Sequence, residues 1–531
     1  MAHVSLNAEY EAREPLLAAV DESEHEEGVP RSGGREKPES GVLSARHTLA
    51  MMMFLGFFNV YALRVNLSVA LLAMVNVTML EADPVINQTD DCPSPTDNVT
   101  TGGGFDGGTF YWDSEIQGII LGSFFYGYIF TQLPGGRLAE KYGAKWVYGL
   151  GVLCTTLFTF LTPLAANTNH NVAALVASRV IMGLGEGVTF PAAHALWSNW
   201  APPLERSKLI AFSYAGCQLG TVVAMPLSGL LCEYWGWPSV FYVFGSLGVV
   251  WFVLWAVLIR NFPEDHPRIS TSELNYIQST LGQKCTRKST RPPWKSIFTS
   301  LPVLAISVGH ICNNWGFYTM LICLPTYMKE VLKYDISKDG FVSALPYLMS
   351  WIVMILSGFL ADYLRERDIL STVSVRKIWM LIGQLSPAAF LVAVAYVGCN
   401  NMLAVACLTM AVGMSGFVAS GYNVNHLDIA PLHAGTLMGI TNTLATLPGI
   451  FSPLVVGVLT ANPSRHQWQI VFYIAAAVYT FGCLFFLVFA SATEQVWAKG
   501  TPDPSLDNVI TPDGEVRNER LLIQHNSCHL D

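Results

Sequence analysis

Arg64 stands in the first long apolar run of this chain, and Arg179 and Glu186 stand in the fourth. An ionised side chain at the middle of a transmembrane helix costs about 2.5–3.5 kcal/mol on insertion scales, so such residues face water, a charged partner or a cargo. Arg64 offers a permanently charged planar fork, the group best suited to a carboxylate in a partly desolvated cavity; a helix carbonyl or Glu186 is the alternative partner. Arg179 and Glu186 are seven residues apart. That is about two helical turns, or roughly 10.5 Å, so both can line one cavity without pairing. Gly183, Gly185 and Gly187 thin the helix around the acid and admit a close neighbour. Burial and a nearby arginine pull the protonation of Glu186 in opposite directions, so its proton can follow the direction in which a cavity faces. The chemistry expected is that of a proton-coupled carrier. Glu186 takes a proton, an anion binds at Arg64, and release to a neutral compartment resets the acid. Static burial of Glu186 and a static ion pair for Arg179 are the structural alternatives.

Weaker candidates surround these three. His310, in the seventh apolar run, is titratable near mildly acidic pH, although a lone histidine on an apolar helix is more often a satisfied structural residue. Tyr61, Phe124, Phe125, Tyr128, Tyr214 and Tyr318 could wall a cavity for a sugar acid, which needs aromatic faces and hydroxyl partners around one charge. Asn314 and Asn423 could bond sugar hydroxyls or, equally, a neighbouring helix.

The elements that must position these residues are lipid-spanning helices. Across 531 residues, 52% are hydrophobic and only 13% charged, far from soluble composition. Runs of about 20 apolar residues, each able to cross a hydrocarbon core, recur along the chain. Twelve spans are expected in an all-α polytopic fold, the first from 46, the fourth over 171–198 and the tenth over 402–424. Residues 1–45 and 492–531 read as disordered tails, 46–259 and 301–491 as two six-helix halves, and 260–300 as their linker. The eleven cysteines are scattered mostly through apolar runs and read as small buried hydrophobes. The net charge of −9 has no basic, aromatic-interleaved patch beside it, so nucleic acid is not an expected partner. A nucleotide-binding glycine loop, a metal-ligand cluster and a nucleophile with its base are all missing from the sequence. Neither catalysis nor a cofactor is expected, only a proton as coupling ion, a small anionic substrate and the bilayer.

Lys and Arg set the orientation. Arg137, Lys141, Lys145, Arg206, Lys208, the 260–295 linker, Arg365, Arg367, Arg376 and Lys377 fall on one side, and only Lys329, Lys333, Lys338 and Arg465 on the other. Both termini are expected in the cytosol. The 80–113 loop holds no Lys or Arg and carries the sequons at Asn87 and Asn98, so it is expected to be lumenal and glycosylated. The halves also repeat: Gly136-Arg-Leu-Ala-Glu140 is echoed by Gly358-Phe-Leu-Ala-Asp362, and Val240-Phe-Tyr242 by Val471-Phe-Tyr473. Parallel repeats of this kind place a substrate site at their interface near the midplane.

Gly136-Arg-Leu-Ala-Glu140-Lys141-Tyr-Gly143-Ala-Lys145 resembles the major facilitator signature between helices 2 and 3, with Glu140 where Asp is commonest. The resemblance implies close helix packing at Gly136 and a cytosolic charge latch among Glu140, Lys141, Gly143, Lys145 and the repeated Asp362. Tyr61-Ala-Leu-Arg64-Val-Asn-Leu-Ser, Gly122-Ser-Phe-Phe-Tyr-Gly-Tyr128, Gly183-Leu-Gly-Glu186-Gly-Val-Thr-Phe-Pro191, Trp200-Ala-Pro-Pro-Leu-Glu-Arg206-Ser-Lys and Asn425-His-Leu-Asp-Ile-Ala-Pro431 resemble the sialin family from about residue 50 to 490. That family comprises lysosomal sialic acid/proton symporters, kin of vesicular glutamate and type I phosphate transporters. The resemblance implies proton-driven export of sialic acid and related acidic monosaccharides from lysosomes. Acidic amino acids driven by membrane potential, or phosphate with sodium, are the alternative cargoes, and a membrane enzyme or a transporter-like sensor is the alternative class. Leu121 and Asn313 stand where the glutamate transporters have a His and an Arg, and a monocarboxylate needs only one cationic partner. Met182 stands where the sialin pattern has a second acid. Glu14-Pro15-Leu16-Leu17 resembles an acidic dileucine signal for sorting adaptors, without its usual acid at Ala12; plasma-membrane delivery is the competitor.

Overall fold

The computed structural model describes residues 44–75, 108–112, 114–167, 172–281, 291–331, 340–460 and 464–499, with short pieces at 509–510 and 516–517. Among the described residues there are sixteen α-helices: α1 Ala45–Met74, α2 Ser114–Tyr142, α3 Ala144–Asn167, α4 Val172–Glu186, α5 Thr189–Trp200, α6 Arg206–Trp235, α7 Trp237–Leu258, α8 Thr271–Leu281, α9 Trp294–Thr299, α10 Leu301–Glu330, α11 Gly340–Glu366, α12 Thr372–Val397, α13 Asn401–Met414, α14 Tyr422–Ile429, α15 Ala434–Leu459 and α16 Arg465–Phe489. Helices are the expected solution, because no water satisfies backbone groups inside a bilayer. Among the described residues, β pairing is confined to a parallel bridge between Val75 and Phe110 and a two-residue antiparallel pairing of Val509–Ile510 with Val516–Arg517.

Eleven helical segments among the described residues are long and apolar enough to cross a membrane. The remaining expected span, the seventh, is α10, with ample length at 30 residues. His310, Asn313 and Asn314 at its middle dilute its apolarity, as befits a helix that turns polar groups inward. The fourth and tenth spans are each broken. Gly187 and Val188 separate α4 from α5, and a tight 3-10 stretch, Ser415–Ser420, separates α13 from α14. The fourth break leaves Glu186 as the last residue of α4.

Helices of one half pack through glycine. A Cβ at Gly127 would collide with the Val180 carbonyl, and one at Gly183 with that of Phe124, so α2 and α4 touch backbone to backbone. This contact carries Phe124, Tyr128 and Glu186 toward α1.

The linker is ordered where it is described. Glu273 on α8 accepts from the backbone N–H groups of Ala45 and Arg46 at 3.0 and 3.2 Å, capping α1. Residues 492–499, expected to belong to a disordered tail, pack back instead. The Gln495 N–H donates to the Ile429 carbonyl at 2.9 Å, and Ala498 is buried. Six of the cysteines are free thiols, as expected, but Cys399 is disulfide-bonded. It follows α12 at the end remote from the basic loops, where spacing alone gave no sign of a bridge.

Candidate functional site

Arg64 projects from α1 onto the end of α4. Its Nε donates to Glu186 Oε1 at 2.8 Å, and its Nη2 contacts the same oxygen. The guanidinium lies 4.8 Å from the ring centres of both Tyr61 and Phe124 and 4.9 Å from that of Tyr128. Its side chain keeps 10% exposure, while Glu186 has none. The second Glu186 oxygen is buried without a hydrogen-bond partner, as is Arg179 Nε. Arg179 Nη1 reaches only the Met182 sulfur at 3.8 Å, and its guanidinium lies 5.2 Å from the Phe124 ring. Phe124 is thus flanked by both arginines. Among the described residues no carboxylate lies within salt-bridge distance of Arg179.

The charge arithmetic of this pocket is direct. Two guanidiniums face one carboxylate, a surplus of one positive charge in a poorly hydrated setting, which favours a single anion. Of the partners weighed for Arg64, the structure shows Glu186.

The second half supplies the opposite wall. Asn442 Nδ2 donates to the Tyr128 hydroxyl at 3.1 Å, and the Phe125 and Tyr318 rings meet edge to face at 5.7 Å. Asn314 is spent on the Ala445 carbonyl at 2.8 Å, the interhelical alternative to a sugar hydroxyl. His310 lies against Tyr422, its Nδ1 3.4 Å from Thr441 Oγ1. Tyr214 lies away from the arginine cage, with its hydroxyl 2.6 Å from His194 Nδ1, and Asn423 contributes its backbone carbonyl to His194 and His426. These last residues belong to a seal between the pocket and the basic loops.

Two carboxylates anchor that seal. Glu140, at the end of α2, accepts from the Thr436 N–H and hydroxyl, both at 2.6 Å, at the start of α15. Asp362, at the end of α11, accepts from the N–H groups of Ser207 and Lys208 at 3.2 and 2.7 Å, at the start of α6. Each satisfies orphan donors of a helix N-terminus in the other half and meets the positive end of its dipole. Gly136 lets α2 touch the Gly435 carbonyl, which a Cβ would strike. Lys141, Gly143 and Lys145 do not form the latch expected of them. Lys141 lies over its neighbour Tyr142, and Lys145 Nζ donates to the Ala256 carbonyl at 2.7 Å at the end of α7, inside its own half. Gly143 has φ +106°, the left-handed turn between α2 and α3, and its approach to Asn261 leaves no room for a side chain.

Sequence reasoning missed the rest of the seal. Asp428 binds Arg376 Nε at 2.7 Å and Arg206 Nη1 at 3.5 Å, and Arg365 donates to the Pro203 carbonyl at 2.9 Å. Arg46 bridges Glu205 at 2.9 Å and Glu273 at 3.6 Å. Arg365 and Arg376 had been counted only for orientation, Arg206 for orientation and within a quoted motif, Asp428 only within a quoted motif, and Arg46 not at all.

At the other end the halves diverge. The face of α2 that meets α15 at Tyr128, Gln132 and Gly136 continues through Gly122 and Gly118, where an added Cβ would meet nothing within 4 Å; the same holds at Gly457 of α15. The halves are thus bonded to one another on the basic-loop side of the pocket. Asn87, Asn98, Leu16 and Leu17 lie outside the described residues.

The profile of the Major Facilitator Superfamily matches residues 49–453. The chain belongs to the major facilitator superfamily. Human sialin is 50% identical over 486 residues, covering 91% of this chain and 97% of sialin. Human vesicular glutamate transporter 2 is 43% identical over 461 residues, covering 86% of this chain and 76% of that protein. The solved structure of the proton:xylose symporter XylE bound to 6-bromo-6-deoxy-D-glucose is similar in fold, with a TM-score of 0.63 at 14% identity over 85% of this chain and 97% of XylE. This major facilitator is a polytopic secondary transporter, not an enzyme.

Proposed function

We propose that this protein exports sialic acid and related acidic monosaccharides from the lysosome together with protons, by alternating access. The observation that carries the reading is the Arg64–Glu186 pair: a charge-assisted contact inside an aromatic cage, with one carboxylate oxygen unpartnered and one arginine uncompensated beside it. A monocarboxylate matches the single surplus charge, and a proton on Glu186 frees Arg64 to bind it. Tyr61, Phe124, Phe125, Tyr128 and Tyr318 supply stacking faces and hydroxyls for a sugar ring.

The disulfide-bonded Cys399 supports a lumenal assignment for the face opposite the basic loops, because such bonds persist in oxidising compartments. Substrate and protons are then loaded from the lumen, the side opposite the Glu140 and Asp362 contacts. Sorting adaptors acting on Leu16 and Leu17 would bring the carrier to the lysosome.

The test is uptake of labelled sialic acid by cells expressing a surface-directed Leu16→Ala, Leu17→Ala form at about pH 5.5 and about pH 7.4. Acid-stimulated uptake that Arg64→Ala abolishes supports the proposal. Surface expression without uptake at either pH rejects it and turns the search to glutamate, aspartate and phosphate.

A further inference from the structure

Between the Arg64 pocket and the basic-loop face lies a second group of buried titratable side chains that the transport reading leaves unused. His194 on α5 and His426 on α14 belong to opposite halves, fully buried, with ring centres 5.2 Å apart. Both reach one atom, the Asn423 carbonyl oxygen: His194 Nε2 at 3.0 Å and His426 Nδ1 at 2.9 Å. A carbonyl only accepts, so both of these nitrogens carry hydrogens. In neutral rings the other two nitrogens then accept. His194 Nδ1 accepts a hydrogen bond from the Tyr214 hydroxyl at 2.6 Å, and His426 Nε2 accepts one from that of Thr441 at 2.8 Å. Thr441 is left to accept from His310 Nδ1 at 3.4 Å. The two hydroxyls agree with the tautomers the Asn423 carbonyl imposes, whereas the Phe190 carbonyl, 3.3 Å from His194 Nδ1, suits a ring that carries both hydrogens.

The bridge sits where the halves must part. The fourth and tenth spans, 172–200 and 401–429, are both 29 residues long. Aligned end to end, they place His194 on Asn423, the 229-residue separation of the two bonded positions. Equivalent positions in contact lie close to the axis relating the halves, so rocking the halves apart breaks this contact.

We propose that the His194–Asn423–His426 bridge is a proton-sensitive clasp of the basic-loop seal, closing with both imidazoles neutral and releasing when one takes up a proton from that side. The groups facing it are Tyr214 from α6, His310 from α10, Tyr422 and Asp428 from α14 and Thr441 from α15. Asp428 is engaged with Arg376 and Arg206, and among the described residues no carboxylate contacts either ring. A protonated imidazole here is a buried charge without a counterion, a cost that water relieves when the seal opens. His194 also has a place for the second hydrogen, since the Phe190 carbonyl lies 3.3 Å from Nδ1 and the Tyr214 hydroxyl can turn to accept. Protons arriving on the basic-loop side hold the path open, and neutral surroundings reclose it. The inference rests on alternating access alone and not on the identity of the cargo.

Hydrogen exchange measured by mass spectrometry on the full-length purified protein at about pH 7.5 and about pH 5.5, corrected for intrinsic rates, tests it. In the wild type, exchange over 189–200 and 422–441 is expected to quicken in acid, by up to about tenfold per pH unit for each proton taken up. In a His194→Gln, His426→Gln double variant, which keeps donors and acceptors but cannot titrate, it is expected to stay flat. A flat wild type, or a double variant that responds like the wild type, overturns the proposal. Should the double variant not fold, Thr441→Val removes the hydroxyl donated to His426 and is expected to release the clasp at higher pH; an unchanged midpoint also overturns it. Glu186→Gln with both histidines intact is expected to retain the response, and its loss would assign the effect to the coupling acid instead.

Discussion

Glu140 and Asp362 make the same contact from opposite halves, each closing the first turn of a helix that the other half supplies. Glu140 caps α15 at Thr436, and Asp362 caps α6 at Ser207 and Lys208. The repeat Gly136-Arg-Leu-Ala-Glu140 and Gly358-Phe-Leu-Ala-Asp362 is thus a repeat of an inter-half bond, not only of a helix end. Hydrogen bonds to a charged group contribute about 1.5–3 kcal/mol each. Glu140→Gln or Asp362→Asn should shift the protein toward opening on the basic-loop side, and the double variant should shift it by about the sum, since the sites are separate. Accessibility of the 430–436 loop to a membrane-impermeant reagent from that side measures the shift.

Close approach at Gly136 gives a steric counterpart. Gly136→Ala drives a methyl group into the Gly435 carbonyl and should prevent this face from sealing, whereas Gly122→Ala points its methyl into open space. Acid-driven uptake should fall at least about tenfold for the first, the equivalent of a penalty near 1.4 kcal/mol on closing. Thermal stability of the second, measured in the sealed state, should lie within about 0.5 kcal/mol of wild type.

Arg64→Lys keeps the charge but not the planar fork stacked between Tyr61, Phe124 and Tyr128. A lost bidentate, charge-assisted contact corresponds to about 1.5–3 kcal/mol, or roughly ten- to a hundredfold in affinity. Concentration dependence of uptake should show KM raised by that factor at unchanged surface expression.

Glu273→Gln weakens the cap that α8 places on α1 and the bridge to Arg46. Removal of such a cap typically costs about 1 kcal/mol or somewhat more. Thermal unfolding should show a lowered midpoint, while KM for the cargo stays unchanged, because Glu273 lies outside the Arg64 pocket.

Much of this was readable in the sequence because membrane spans are long and ionisable residues inside them are conspicuous. Arg64, Arg179 and Glu186 stood out for that reason, and the repeat pointed to Glu140 and Asp362. Pairing was not readable: Arg64 and Glu186 are 122 residues apart, and nothing local decides whether an arginine meets that acid, a carbonyl or a cargo. His194 was overlooked in an alanine-rich run although it carried the same signal as His310, a titratable ring within apolar sequence. Lys141 and Lys145 misled through their type, since a lysine near a helix end serves a local carbonyl as readily as a distant acid. The breaks after Glu186 and Met414 also escaped notice, because hydropathy continues across them.

In the proposed cycle one proton on Glu186 accompanies one anion at Arg64. Proton movement evoked by adding sialic acid to the acidic side of proteoliposomes, compared between wild type and Glu186→Gln, measures that stoichiometric link. Sialic acid-evoked proton entry is expected in the wild type and none in Glu186→Gln, with sialic acid binding retained in the variant. Equal proton entry in both would contradict it.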